Sequence, residues 1–166
     1  MSLRNSSESQ DKANAAARLQ KELMELILTD VDGISAFPHN DDLFHWVATV
    51  SGVERTPYEG LEYRLSMNFP SNYPYSAPTV NFLTPCFHPN VDVHGVICLD
   101  ILKERWSAAY TAGAVLLSVQ SLLDNPNNQS PLNAQAAQMW GQTEGYRRAV
   151  LATYETGSIA HNGGAP

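Results

Sequence analysis

The sequence predicts an α+β fold, in which an N-terminal helix is followed by a four-stranded antiparallel sheet and then by further helices. Apolar residues repeat with helical spacing near the N-terminus and again in the last third of the chain. Between these regions lie short runs rich in β-branched and aromatic residues. Strands that are grouped together, rather than alternating with helices, are typical of folds with the helices packed on one face of the sheet.

The first helix is predicted from about residue 14 onward. Four apolar side chains fall on one helical face at spacings of i, i+4, i+7 and i+8: Leu19, Leu23, Leu26 and Ile27. The preceding residues 1–12 are rich in serine, asparagine and glutamine and lack apolar periodicity. Because such a segment has little apolar surface to bury, we expect a disordered tail there.

Four strands are expected in the middle of the chain, at residues 34–37, 44–50, 62–69 and 79–83. The third run alternates apolar and polar side chains, which suits a sheet with one buried face. The gaps after the first two runs are short and rich in turn residues, so the first three strands should form an antiparallel meander. Residues 70–78 contain three prolines and two tyrosines, which predicts a stiff loop.

Three helices are expected in the last third of the chain. Thr111 can cap the first, and Asn133 can cap a short second helix that ends near Trp140. Apolar residues at helical spacing mark the core faces of the first and last helices: Val115, Leu116, Val119, Leu122, Leu123, Tyr146, Val150 and Tyr154. Residues 157–166 have the composition of a second disordered tail, so one folded domain is expected over residues 13–156.

The composition argues against several classes of function. Ten basic and seventeen acidic residues among 166 give a net charge of −7, which argues against binding to nucleic acid. No apolar run approaches the roughly 20 residues that span a bilayer, so no membrane association is expected. Two cysteines are too few for a disulfide framework in a chain of this length. We therefore expect a monomeric protein of the cytosol or nucleus.

The chemistry is concentrated in residues 84–106, which hold both cysteines of the chain. Pro89 fixes its own φ and moves His88 out of the helical region, so His88-Pro89-Asn90 forms a stiff bend that can aim the asparagine side chain. Cys98 follows eight residues later among apolar neighbours. An amide in this position can donate a hydrogen bond to a developing oxyanion without losing a proton.

The residue types leave three interpretations of this stretch open. In the first, Cys98 is a catalytic nucleophile and Asn90 stabilises charge. In the second, both cysteines are small buried apolar residues without chemistry. In the third, four side chains bind zinc, although their spacing matches none of the common zinc motifs: Cys86, His88, His94 and Cys98.

The same stretch resembles the active-site signature of ubiquitin-conjugating enzymes. The signature consists of a bend, a cysteine and a tryptophan-serine pair: His88-Pro89-Asn90, Ile97-Cys98-Leu99-Asp100 and Trp106-Ser107. The resemblance covers about residues 14–155. It implies the α+β core fold of that family, and a thioester between Cys98 and ubiquitin that is then transferred to substrate lysines.

The resemblance also implies a role for each residue of the site. Cys98 would be the nucleophile, Asn90 would stabilise the oxyanion, and Asp100 would orient the incoming lysine. Structural roles are implied at four positions: His88, Pro89, Leu99 and Ser130. Many relatives carry an acid at position 130, where it helps to deprotonate the lysine, and a serine is unable to act as a base near neutral pH.

The partners that the resemblance implies are ubiquitin, the ubiquitin-activating enzyme, a RING-type ligase and substrate proteins. Because the activating enzyme uses ATP upstream, no cofactor or metal is expected here. Candidate docking residues for the activating enzyme and the ligase lie in the first helix and two loops: Arg18, Lys21, Tyr75, Ser107, Ala108 and Ala109. Ala108 stands where several relatives have proline.

Two short segments favour one branch of the family. Thr84-Pro85-Cys86 and Leu102-Lys103-Glu104 are most similar to the cyclin-selective carriers that serve the anaphase-promoting complex, which implies a role in cell-cycle protein degradation. Two alternatives remain open: a catalytically silent interaction module on the same fold, and conjugation of another ubiquitin-like modifier. Silent variants typically lack the active cysteine, whereas this chain keeps Cys98.

Overall fold

The computed structural model describes residues 2–162 and has the predicted order of elements. Helix α1 (Ser2–Thr29) precedes strands β1 (Ile34–His39), β2 (Asp42–Ser51), β3 (Glu62–Asn68) and β4 (Thr79–Phe82). A 3-10 turn (Asp100–Leu102) and helices α2 (Ala112–Asp124), α3 (Ala134–Met139) and α4 (Thr143–Asn162) follow. None of the helices described within residues 2–162 is both long and apolar enough to cross a membrane.

The four strands form one antiparallel meander in the order β1-β2-β3-β4, as predicted. In β3, the side chains of Tyr63, Leu65 and Met67 are buried, while those between them are more exposed. Helices α1 and α2 contact each other, and both contact β2. The helices therefore pack around the buried face of the sheet, and the predicted α+β architecture is confirmed.

Both predicted helix caps are present. The hydroxyl of Thr111 accepts a hydrogen bond from the N–H of Ala114 at 3.1 Å, and the side-chain oxygen of Asn133 accepts one from Ala136 at 3.0 Å. Each bond satisfies one of the N–H groups that the first turn of a helix leaves without a partner. These two polar side chains fix where α2 and α3 begin.

Helix α1 begins much earlier than the sequence predicts. Residues 2–29 contain no glycine or proline that would interrupt a helix, so the helix extends through the polar segment at its start. Residues 2–12, where the sequence predicts a disordered tail, are therefore helical in the structure, and residue 1 lies outside the described residues. Side chains 3–14 are exposed, and packing against the core begins at Ala15.

The buried face of α1 also differs in part from the predicted one. Leu19 is fully buried, but Ile27 is 51% exposed, and the buried position between them is Glu22. The Glu22 carboxylate accepts hydrogen bonds from the hydroxyl of Tyr73 at 2.9 Å and from the N–H of Ala112 at 2.7 Å. Such partners are what a buried carboxylate requires. Glu22 thus joins α1 to the proline-rich loop and to the start of α2.

Helix α4 extends past its predicted end and includes residues 157–162, where the sequence predicts a disordered tail. Gly157 lies inside the helix at its contact with Pro85, where a Cβ atom would stand only 2.7 Å from the proline Cδ. The glycine therefore permits a close approach of α4 to the loop before His88, rather than ending the helix. Residues 163–166 lie outside the described residues.

Candidate active site

The His88-Pro89-Asn90 bend is buried, and its histidine is held from both sides. Nε2 of His88 donates to the carbonyl of Leu122 in α2 at 2.7 Å, while Nδ1 accepts from the N–H of Asn90 at 3.0 Å. These partners fix one neutral tautomer of the ring. Burial lowers the pKa of His88 to about 4, so the ring is uncharged at neutral pH. His88 is therefore placed to shape the bend and not to accept a proton.

The carbonyl of Pro89 connects the bend to the loop before α3. It accepts hydrogen bonds from the N–H groups of Leu132 and Asn133, at 2.8 and 3.1 Å. Ser130, two residues before Leu132, is exposed on that loop. The loop that carries Ser130 is thus anchored directly to the bend, so a side chain at position 130 is held near the site without being buried in it.

Asn90 lies at the centre of the site and is only 1% exposed. Its Nδ2 donates to the carbonyl of Asn127 at 2.7 Å, and the N–H of Asn127 donates back to Oδ1 at 2.8 Å. The carbonyl of Asn90 accepts from the N–H of Cys98 at 2.9 Å. Asn90 therefore ties the loop after α2 to the segment that carries the cysteine. Since Asn127 uses one N–H of the amide, an oxyanion at Cys98 would have to use the other.

Asn127 is a residue of the site that reasoning from the sequence missed. The run of residues 124–128 indicates only that α2 ends there. Asn127 meets Asn90 through its backbone N–H and carbonyl, and a backbone contact leaves no signal in the residue type. The contact depends on the loop folding back over the bend, which only the three-dimensional structure shows.

The two cysteines have different surroundings. Cys86 is 7% exposed, and burial raises the pKa of its thiol well above the usual range. A thiol that stays protonated is a poor nucleophile, because the thiolate is the reactive form. Cys98 is half-buried, and its backbone is bonded to Asn90. Of the two, Cys98 has the access and the neighbours that a nucleophile needs.

The zinc interpretation does not fit the geometry of the site. Both ring nitrogens of His88 are occupied by backbone groups, which leaves neither for a metal. Cys86 is buried, whereas His94 is exposed. Within residues 2–162, no group of three or more histidine, cysteine, aspartate or glutamate side chains is arranged to hold a metal ion.

Asp100 lies two residues after Cys98, at the start of the 3-10 turn. Leu99 between them has extended backbone angles, φ −139° and ψ 121°. The carboxylate of Asp100 is about half exposed, and Nε of Arg105 lies 3.7 Å from its Oδ2. The chain therefore carries a carboxylate next to the segment of the cysteine, and the guanidinium of Arg105 already forms an ion pair with that carboxylate.

Comparison with known proteins identifies the family. A sequence profile of ubiquitin-conjugating enzymes matches residues 18–154. The ubiquitin-conjugating enzyme E2-20 kDa of Schizosaccharomyces pombe is 52% identical to this chain over 147 residues, which cover 87% of this chain and 84% of that protein. The chain belongs to the ubiquitin-conjugating enzyme family. Membership implies ubiquitin, an activating enzyme and a ligase as partners.

In this conjugating enzyme, the two loops with predicted docking residues lie side by side. The indole Nε1 of Trp106 donates to the carbonyl of Pro74 at 2.8 Å and so joins one loop to the other. Ala108 is half-buried, and the other three docking candidates of these loops are exposed: Tyr75, Ser107 and Ala109. The two loops therefore present one shared exposed surface.

The two basic docking candidates of α1 are placed differently in the conjugating enzyme. Arg18 is turned inward, and its Nη2 donates to the carbonyls of Ala108 and Tyr110 at 2.8 and 3.0 Å. Its Nε lies 3.1 Å from Glu22. The guanidinium of Arg18 therefore braces the neighbouring loop from within, and the docking role predicted for this residue stays a prediction. Lys21, by contrast, is exposed.

Proposed function

We propose that Cys98 carries ubiquitin as a thioester and passes it to the lysine side chains of substrates. The observation behind this proposal is the bond from the N–H of Cys98 to the carbonyl of Asn90, which sets an accessible thiol beside the buried bend. The thiolate of Cys98 attacks the thioester carbonyl of ubiquitin on the activating enzyme, and the thiolate of that enzyme leaves. The product is again a thioester, so it remains reactive toward an amine.

In the second step, ubiquitin is transferred from Cys98 to a lysine, and the residues around the cysteine have different roles in this transfer. Attack by the lysine amine creates a tetrahedral oxyanion, and we assign its stabilisation to the second N–H of the Asn90 amide. Asp100 holds the incoming amine beside the thioester. Ser130 is unable to accept the amine proton near neutral pH, so that task passes to Asp100 or to the ligase-bound substrate. Collapse of the intermediate breaks the C–S bond and returns the thiolate of Cys98.

Replacing each cysteine by serine tests this proposal. Cys98→Ser, incubated with ubiquitin, activating enzyme and ATP, should form an oxyester that resists thiol but is cleaved by base, because an alkoxide is a poorer leaving group than a thiolate. Cys86→Ser should form the thiol-sensitive thioester of the wild type on a non-reducing gel. Loss of charging in Cys86→Ser together with normal charging in Cys98→Ser would overturn the assignment. Absence of charging in the wild type would favour a silent interaction module or the conjugation of another ubiquitin-like modifier.

The ligase partner that we propose is the anaphase-promoting complex, with ubiquitin as the modifier. Thr84-Pro85-Cys86 and Leu102-Lys103-Glu104 support this branch of the family. Lys21 and the shared surface of the two loops are the proposed docking sites. Reconstituted cyclin ubiquitination with this complex should be faster than with an unrelated RING ligase at equal concentration. Equal or slower transfer with the anaphase-promoting complex would contradict the choice of branch.

A further inference from the structure

Arg105 and Asp100 form an ion pair at the edge of the proposed site. Nε of Arg105 lies 3.7 Å from Oδ2 of Asp100, and the two side chains are 75% and 49% exposed. The backbone brings them together, because the N–H of Arg105 donates to the carbonyl of Asp100 at 3.0 Å. The pairing is therefore supported by the local fold of the turn, and does not depend on the two side chains alone.

The ion pair with Arg105 involves the Asp100 carboxylate, which is the group proposed to hold an acceptor lysine. Asp100 follows Cys98 by two residues through the extended Leu99, and its carboxylate is the group proposed to hold the incoming amine. Near neutral pH a lysine arrives as an ammonium ion. The ammonium and the guanidinium of Arg105 are then two cations that compete for one carboxylate. An acceptor must displace Arg105 before Asp100 can hold it.

We propose that Arg105 determines which acceptor lysines are used. It stays on Asp100 until an acceptor lysine displaces it, and the released guanidinium then pairs with an acidic residue beside that lysine. An acceptor with an adjacent aspartate or glutamate replaces one ion pair by two, whereas an acceptor without one leaves the guanidinium unpaired. This inference rests on the proposed transfer from Cys98 to lysine.

Because the side chains of Arg105 and Asp100 are exposed, their ion pair can change the preference between acceptor lysines only modestly. Ion pairs between solvent-exposed side chains are screened by water, and each changes an equilibrium by at most about fivefold. Salt screens them further, since the Debye length falls to about 3 Å near 1 M ionic strength. Lys103 offers a matched control, because it is an exposed cation of the same turn, while the carboxylate of Asp100 is paired with Arg105.

The test measures single-turnover discharge of the full-length protein, charged with ubiquitin, onto two N-acetylated, C-amidated dipeptides: lysyl-aspartate and lysyl-asparagine. The wild type should discharge onto the acidic peptide about two- to fivefold faster, and this ratio should approach one in about 1 M salt. Arg105→Gln should abolish the preference and accelerate discharge onto the neutral peptide, because Asp100 is then free. Lys103→Gln should keep the wild-type ratio.

Several outcomes would overturn the inference. One is a wild type that discharges onto the acidic and the neutral peptide at nearly the same rate, and another is a preference that persists in Arg105→Gln. A third is an equal loss of the preference in Lys103→Gln, which would indicate general charge attraction. Discharge onto hydroxylamine, which is largely uncharged near neutral pH, should be accelerated less by Arg105→Gln than discharge onto the neutral peptide; a slower rate in Arg105→Gln, or an acceleration as large as that for the peptide, would overturn the proposed competition between cations. A wild type that forms no thioester would overturn the proposed function and this inference with it.

Discussion

The side-chain amide of Asn90 and the backbone of Asn127 exchange two hydrogen bonds, at 2.7 and 2.8 Å, across 37 residues of sequence. The amide therefore has a structural partner in addition to any oxyanion it binds. Both groups of the Asn90 side chain are buried, so their loss would leave two backbone groups of Asn127 without partners. The loop after α2 would then lose its attachment to the bend beside Cys98.

Asn90→Ala should separate charging from discharge. We expect the variant to accept ubiquitin but to transfer it to lysine roughly a hundred- to a thousandfold more slowly, because one oxyanion donor is lost. Asn90→Asp is the matched variant: it keeps an oxygen for the N–H of Asn127 but has no amide donor. Single-turnover rates of charging and of discharge, measured separately, test this expectation. If charging and discharge fall equally in Asn90→Ala, the residue mainly holds the loop.

The buried His88 should make stability depend on pH. The pKa of His88 is lowered from 6.5 to about 4, so between these values the unfolded chain binds a proton that the native chain does not. Stability from this group is complete above pH 6.5 and falls as the pH is lowered toward 4. A shift of about 2.5 pH units corresponds to about 3 kcal/mol.

Replacing His88 by a group that does not titrate should remove this dependence. The amide of Gln in His88→Gln can donate to Leu122 and accept from Asn90, so we expect a folded protein with a shallower pH dependence of the unfolding free energy. Urea unfolding between about pH 7 and pH 5 measures it. His94→Gln, at an exposed position, should keep the wild-type slope. Equal slopes for the wild type and His88→Gln would contradict the proposed cause.

The Glu22 carboxylate should contribute far more to the free energy of unfolding than the exposed carboxylate of Glu25, one helical turn later. It receives the hydroxyl of Tyr73 and the N–H of Ala112, and it lies 3.1 Å from Arg18. We expect Glu22→Ala to lower the free energy of unfolding by about 3 kcal/mol, since it strands buried partners. Glu25→Ala removes only a surface pair and should cost less than about 1 kcal/mol. Similar losses in urea unfolding would show that the buried contacts add little.

The network around Glu22 was not visible in the residue pattern, although one signal for it exists. Glu22 follows Leu19 by three residues and precedes Leu26 by four, which puts it on the apolar face of α1. The predicted apolar face of α1 counts only apolar side chains and therefore leaves out this position. Two of its three partners, Tyr73 and Ala112, come from distant parts of the chain, so only the fold could show why a carboxylate is stable there.

Local signals predicted most of the fold, because they act between near neighbours. Thr111 and Asn133 cap the helices that they were expected to cap, and all four strands overlap the runs in which they were predicted. The start of α1 and the end of α4 were predicted poorly. A polar composition suggested disorder at residues 2–12, and glycine suggested it at Gly157, but neither feature terminates a helix that is already formed.

Ser130 occupies a position at which the resemblance to ubiquitin-conjugating enzymes implies an acid in many relatives. It is exposed, and its loop is anchored to the bend through the bonds from Leu132 and Asn133 to Pro89. A free lysine amine has a pKa near 10.4, so only a small fraction is neutral and nucleophilic near neutral pH. A carboxylate introduced at position 130 would either relay the proton and raise the rate, or stabilise the ammonium and lower it.

We predict that Ser130→Asp discharges ubiquitin onto free lysine faster than the wild type at about pH 7. The gain should shrink near pH 9, because more of the amine is then already neutral and needs less help with its proton. Single-turnover rates across this range, without ligase, measure both effects. Ser7→Asp adds the same charge on the exposed start of α1 and should leave the rate unchanged. A Ser130→Asp rate at or below that of the wild type throughout would show that an acid at this position holds the ammonium instead of relaying its proton.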